Sequence, residues 1–149
     1  MFKKLINFFK DEEGAAIAEF ALVLPVLAFL LFGMIEFGLV LFNKQVITNA
    51  SREAARAGIV VDLDTGGTDY DTYVADIAKD YCSNYLIDLG GSATPVVTPT
   101  YPAKGFGNDL TVEVNYDYHF LVFGELAKMF GASSWSTVNL YARAVMRYE

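Results

Sequence analysis

Few residues in this chain could do chemistry, and the most conspicuous is a carboxylate in apolar company. Glu19 stands in Gly14-Ala15-Ala16-Ile17-Ala18-Glu19-Phe20, and an apolar run then continues to Phe42. A charge inside a membrane-crossing helix costs about 2.5–3.5 kcal/mol on insertion scales, so it needs a partner or a route to the headgroups. The plain alternative is a glutamate that snorkels to the headgroups from the end of the helix. Glu36, a second carboxylate near the far end of the run, has similar choices: it snorkels, or it pairs with Lys44 or with a neighbouring chain.

The other reactive types are sparse. There is one cysteine, Cys82, and one histidine, His119. An internal disulfide is therefore impossible, and zinc sites of the His/Cys kind are nearly excluded. Cys82 falls at the edge of an apolar helix face and reads as a small buried hydrophobe rather than an intermolecular disulfide partner. His119 with Ser133 or Ser134 could form part of a Ser-His-Asp set, but no nucleophile elbow or oxyanion-hole motif accompanies them. Asp62, Asp64, Asp69 and Asp71 crowd one loop and invite a calcium reading. On an EF-hand template Asp62 and Asp64 fit the first ligand positions, but Gly66 and Tyr73 stand where a further ligand and the closing glutamate belong. A solvated acidic loop is the expectation, and no enzyme activity, cofactor or metal is expected. The many tyrosines (among them Tyr70, Tyr81, Tyr116 and Tyr118) mostly fall on apolar faces and read as core.

These residues need positioning, and the elements that do it can be read from pattern. The chain has 149 residues, room for one ordinary domain. Its mean hydropathy of +0.32 is high, its formal charge is −7 and its pI is near 4.6. That acidity argues against nucleic acid, which needs clustered Lys and Arg. Met1 to Gly14 begins basic (Lys3, Lys4, Lys10) and ends acidic (Asp11, Glu12, Glu13), like the start of an export signal. The apolar run is far longer than the ~7–15 residues of a secretory signal, so it reads as an anchor. Residues 15–42, at ~1.5 Å per residue, span about 40 Å, enough to cross a bilayer with some tilt. Pro25 should bend this helix. Gly33 and Gly38 do not have the spacing of a GxxxG face. Basic flanks are nearly balanced (Lys44, Arg52 and Arg56 come after the run). The short segment before the span and the larger domain after it favour a cytoplasmic N-terminus.

Beyond Phe42 the pattern turns amphipathic. Val46, Ile47, Ala50, Ala54 and Ala55 form a helical stripe, so the helix is expected to continue from 15 to 58, about 65 Å in all, with Gly58 as its stop. Residues 59–149 read as an α+β domain. A second helix is expected over Thr72 to Leu89, with Asp71 as a possible cap and Gly90-Gly91 after it. Ala93 to Tyr101, with Pro95, Pro99 and Pro102 nearby, permits only an edge strand. Leu110, Val112, Val114, Tyr116 and Tyr118 alternate with polar residues. So do Val138, Leu140, Ala142, Ala144, Met146 and Tyr148. The two runs should pair antiparallel, with a short helix or wide loop over Leu121 to Gly131. The fold class is thus α+β: a long transmembrane and amphipathic helix, a second helix and an antiparallel sheet of about three strands.

Gly14 followed by AAIAEF, then ALVLPVLAFLLFGMIEFGLVLF and NKQVITNASREAARAG, resembles the TadE-like family, the minor pilins or pseudopilins of the Tad (tight adherence) system that builds Flp pili. The resemblance is close over Gly14 to Gly58. Related type IV and type II secretion pilins usually open their mature chain with an aromatic and a Thr-Leu pair, whereas Ala15-Ala16-Ile17 points to the Tad branch. The resemblance implies a leader of residues 1–14, removed by a prepilin peptidase that cuts between Gly14 and Ala15 on the cytoplasmic side. The bland reading of Gly14 is a helix-entry glycine. Glu19 and Phe20 would be the carboxylate and aromatic just after the cut. The free α-amine of Ala15, with a pKa near ~8, could then meet Glu19 of another subunit in a bundle of staggered helices. The implied protein is a structural subunit held in the bacterial inner membrane with its C-terminal domain outside, able to enter a pilus. Its implied partners are the peptidase, other pilins, the Tad inner-membrane assembly machinery and the bilayer. The rival reading is a single-pass anchored binding domain that never polymerises.

Overall fold

The computed structural model describes residues 12–61, 69–89, 93–102, 106–129, 131 and 136–148; for 12, 13 and 126–129 only the backbone is described. The elements in chain order are α1 (Glu12–Val60), α2 (Tyr70–Tyr85), β1 (Val96–Thr100), β2 (Asp109–His119), α3 (Val122–Met129) and β3 (Thr137–Arg147). By contact the chain divides into two units, Met1–Glu36 and Phe37–Glu149.

The described part of the first unit is helix. Its apolar side chains face outward, and none of the most apolar window of α1 is buried within the chain. An exposed apolar surface of this length is stable only in lipid or against other helices. The helix runs through Pro25.

The second unit is built on the amphipathic half of α1. Val46, Ile47, Ala50, Ala54 and Ala55 are all buried, which is the stripe that helical spacing predicts. They pack into one core with Tyr70, Val74, Ala78 and Cys82 of α2 and the inner face of the sheet. The sheet has the order β1-β2-β3, antiparallel throughout. Its inner face carries Leu110, Val112, Val114, Tyr116 and Tyr118 of β2, set opposite Met146, Ala144, Ala142, Leu140 and Val138 of β3. Large residues on β2 thus face mostly smaller ones on β3, and alanines leave room for the helix layer. The outer face is held by polar cross-strand pairs: Asn139 donates to Asp117 at 2.7 Å, the Tyr141 hydroxyl to Glu113 at 2.7 Å and Arg147 to Asp109 at 3.0 Å. β1 is short, carries Pro99 and lies at an edge, as a proline-bearing strand must.

Four boundaries differ from expectation. Helix α1 does not stop at Gly58; it continues to Val60, and it begins at Glu12, ahead of Ala15. Gly58 is instead a packing position. A Cβ there would meet Leu110 Cδ2 at 2.5 Å and the Tyr70 hydroxyl and Val74 Cγ2 at 3.0 Å each. Helix α2 starts at Tyr70 rather than Thr72, so Asp71 lies in its first turn, and the extended residue before it is Asp69. It also ends at Tyr85, before Leu86 and the glycines, because the chain turns extended at Leu86 (φ −67°, ψ 137°). Its buried face is consequently Tyr70, Val74, Ala75, Ala78 and Cys82, while Tyr85 and Leu89 are exposed.

Candidate functional site

The residues singled out in the N-terminal segment all lie on one regular helix. Gly14 is buried, whereas Ala15, Glu19 and Phe20 are exposed. Ala15 and Glu19 are one helical turn apart, so they share a face. Glu19 forms no ion pair among the described residues and stands among outward-facing apolar side chains such as Ile17, Leu22 and Val23. Glu36 differs: it is 4% exposed. A carboxylate enclosed to that degree is not displayed to lipid or to a neighbouring chain as Glu19 is. Pro25 lies between the two, within the helix.

At the other end of the apolar run, Asn43, not singled out for any role, and Lys44, considered above only as a flanking cation and a partner for Glu36, tie the second unit together. The Asn43 side-chain amide donates to the Ile87 carbonyl at 2.7 Å and accepts from the Ile87 N–H at 3.0 Å. Asn43 is fully buried. The pair of bonds satisfies the backbone of Ile87, which the end of α2 would otherwise leave without partners. The Lys44 ammonium donates to the Tyr141 carbonyl. In the β2–β3 ladder the even-numbered residues of β3 face β2, as the bonds Phe120 N–H to Ser136 and Tyr148 N–H to Asn108 indicate. Tyr141 O therefore points to the outer edge of β3, and Lys44 covers part of an edge that could pair with another strand. The available clue was chemical: Asn43-Lys44 is the first polar pair after the apolar run. Replacing Asn43 by alanine should leave both Ile87 groups unmatched. The expected cost is about 2–3 kcal/mol, read as a lower melting temperature and faster exchange of the Ile87 amide proton.

Near Gly58 a tyrosine pair closes the same unit. The Tyr70 hydroxyl donates to the Gly58 carbonyl at 2.9 Å and is hydrogen-bonded to the Tyr148 hydroxyl. Burial first, and then the bond to Tyr148, raise the Tyr70 pKa well above the usual phenol range. The Tyr70 phenol stays neutral at physiological pH, as a structural tie requires.

Among the described residues, the remaining candidates do not assemble into a reactive centre. Cys82 is fully buried, and burial pushes its thiol up to about 11, so it is an inert packing residue. It borders a cavity of about 500 Å³ with Lys79, Ser83, Asp88 and Tyr116. There burial, with the Asp88 carboxylate close by, pushes the Tyr116 phenol up to about 12. His119 closes β2; Ser133 and Ser134 lie outside the described residues. So do Asp62, Asp64 and Gly66 of the acidic loop, and among the described residues no cluster of His, Cys, Asp or Glu could hold a metal ion.

Comparison with known families matches residues 14–56 to the model described as TadE-like protein. No curated protein and no solved structure matches the chain. The matched segment begins at Gly14, takes in Glu19, Phe20, Pro25 and Glu36, and ends where α1 is packed under the sheet. The long apolar helix that carries the match has the length and composition of a single-pass membrane anchor. Residues 14–56 of this chain are thus similar to the TadE-like protein family.

Proposed function

We propose that this protein is a minor pilin or pseudopilin of a Tad/Flp-type pilus, processed between Gly14 and Ala15 and assembled through the exposed face of α1. The observation that carries the reading is the placement of Glu19: a carboxylate displayed on an otherwise apolar helix surface, within a TadE-like segment whose first residue is Gly14. A charge so placed is costly in lipid and cheap beside a cation. Cleavage after Gly14 creates such a cation, the α-amine of Ala15, on the same helical face. Each processed chain then offers an amine and a carboxylate together, and neighbouring chains can exchange them in a staggered bundle. Phe20 packs beside that pair, and Pro25 bends the span by removing one helical hydrogen bond. The protein sits in the inner membrane with its N-terminus cytoplasmic, where the peptidase cuts, and holds its α+β domain outside. Other pilins and the Tad assembly machinery are its partners, and adherence is the outcome it supports.

Mass determination of the membrane-extracted chain tests this directly. The expected mass is that of residues 15–149 in cells with the prepilin peptidase and of the whole chain in cells without it. Substituting Gly14 by alanine should keep the whole chain in both. A chain that still begins at Met1 beside an active peptidase would favour the anchored binding domain, for which the cavity beside Tyr116 offers a small concave site.

A further inference from the structure

The two edges of the sheet are built differently. Even-numbered residues of β2 bond to β3, as the bond from Phe120 N–H to Ser136 indicates, so the odd-numbered ones bond to β1. Thr111, Glu113 and Asn115 therefore engage Thr100, Thr98 and Val96. That turns Val97 and Pro99 of β1 to the free side, with Pro95 in the same phase just ahead of the strand. Proline has no N–H to offer an incoming strand, and α2 also packs against β1. This edge is blunted.

The β3 edge is not. That strand has 11 residues against 5 in β1, and no proline. Its odd-numbered residues turn their N–H and C=O groups away from β2, to the open side. Lys44 takes the Tyr141 carbonyl. The N–H and C=O of Arg143 and Val145 have no hydrogen-bond partner among the described residues, and both residues are exposed. Two such outward residues offer four backbone bonds, a row that a further strand can satisfy. The side chains along that row are basic: Arg143 and Arg147 of β3, and Lys44 from α1, in a chain of net charge −7. On their β2 flank the arginines meet Glu113 at 3.8 Å and Asp109 at 3.0 Å. A guanidinium carries five N–H donors, so a carboxylate on one flank leaves donors for the other.

We propose that the outer edge of β3 receives an extended acidic segment of another protein, laid antiparallel against Arg143 to Arg147 with carboxylates four residues apart. The spacing is that of the strand β3 already holds, in which Asp109 lies opposite Arg147 and Glu113 opposite Arg143. The added strand repeats that arrangement on the other flank. A second copy of this chain is a poor occupant. The outward row of β3 is Thr137, Asn139, Tyr141, Arg143, Val145 and Arg147, and it contains no carboxylate. No register of β3 on itself therefore supplies one to either arginine, and several set arginine against arginine, which is destabilising. The cations thus reject a copy and select an acidic strand. The inference goes beyond pilus membership and stands whether or not the chain is processed.

Residue-resolved hydrogen exchange of the full-length chain in detergent micelles tests this. The probe is a blocked peptide in which valine alternates with glutamate and threonine in turn, so that its carboxylates fall four residues apart. In the chain alone the amides of Arg143 and Val145 should exchange freely, while those of Ala142 and Ala144, on the β2 side, stay protected. Peptide at about ten times its dissociation constant should slow exchange at 143 and 145 about tenfold and leave Val97 on the β1 edge unchanged. The same peptide with lysine for glutamate, or with N-methyl groups on the amides that would face β3, should protect neither. Val145→Pro should melt like the parent, because its N–H faces away from β2, and should lose the response; the N-methylated peptide makes the same test without touching the fold. Arg143→Gln with Arg147→Gln should raise the glutamate peptide needed about tenfold or more. Equal protection by the glutamate and lysine peptides overturns the selection of an acidic strand. Protection by neither overturns the edge as a docking site. Protection in the chain alone that rises with its concentration means that a second copy takes the edge, and overturns the proposal as well.

Discussion

Substituting Gly58 by valine is expected to unfold the second unit while leaving the apolar half of α1 helical. The first atom added already collides: a Cβ would lie 2.5 Å from Leu110 Cδ2 and 3.0 Å from both the Tyr70 hydroxyl and Val74 Cγ2. Leu110 and Val74 are fully buried, so neither has solvent to swing into. Leu110 is also on the central strand, paired with Met146 of β3. Alanine at this position would gain up to ~1 kcal/mol of helix propensity. It would lose about 1–3 kcal/mol to overpacking, a net loss. Valine adds two methyl groups and displaces the Tyr70 hydroxyl from the Gly58 carbonyl, for a total loss of about 3 kcal/mol or more. Against a total stability of roughly 5–15 kcal/mol that is a large share. Thermal unfolding of detergent-solubilised chain, followed by near-ultraviolet circular dichroism of the tyrosines, should show a lower midpoint with most far-ultraviolet helicity retained. An unchanged midpoint would mean that α1 does end before this position.

Glu19→Ala should have the opposite profile: a stable, processed and membrane-inserted chain that no longer assembles. Removing the carboxylate makes insertion easier, by at most about 2.5–3.5 kcal/mol, the cost of a charge at mid-span. The membrane fraction should hold or rise. On the proposed reading, the same substitution takes away the partner of a neighbour's α-amine, which then stays uncompensated in lipid. A loss of about 2.5 kcal/mol per contact corresponds to nearly two decades in an association constant, so co-purification with other pilins should fall below detection. Glu19→Gln keeps the shape without the charge and should fail in the same way. If either variant co-purifies at the wild-type yield, Glu19 does not set the register of assembly. Glu36→Gln is the informative companion. That residue is enclosed within the chain, so its loss should register in the stability of the protein and not in the contact between chains.

The contrast between these residues marks how far pattern alone reaches. The strands were legible because a period of two with one buried face leaves a single register for the side chains. Leu110 to Tyr118 and Val138 to Tyr148 take the faces that alternation predicts. The helical stripe Val46–Ala55 was legible for the equivalent reason at a period of 3.6. The ends of α2 were not, because what ends it is distant in sequence. Asn43 takes both backbone groups of Ile87, so the helix gives way at Leu86 although Leu86 and Leu89 continue the apolar pattern. Tyr70 joins the helix at its other end because its ring and hydroxyl are drawn to Gly58 and Tyr148. Gly58 misled for the same reason. A glycine near the end of an amphipathic run most often marks a C-terminus, and only the packed neighbours reveal that it is there to admit Leu110.

By itself the sequence determined the apolar helix, its unusual carboxylates, the resemblance of Gly14 to Gly58 to the TadE-like family and the α+β class, since these depend on local spacing and on the cost of placing charge in lipid. Tertiary structure decided which of two similar glutamates is displayed and which is enclosed, why Gly58 cannot carry a side chain, and how Asn43 and Lys44 tie the end of α2 and the edge of β3 to α1. Each of those is a contact between segments tens of residues apart, formed only when the core closes, and no periodicity along the chain encodes it.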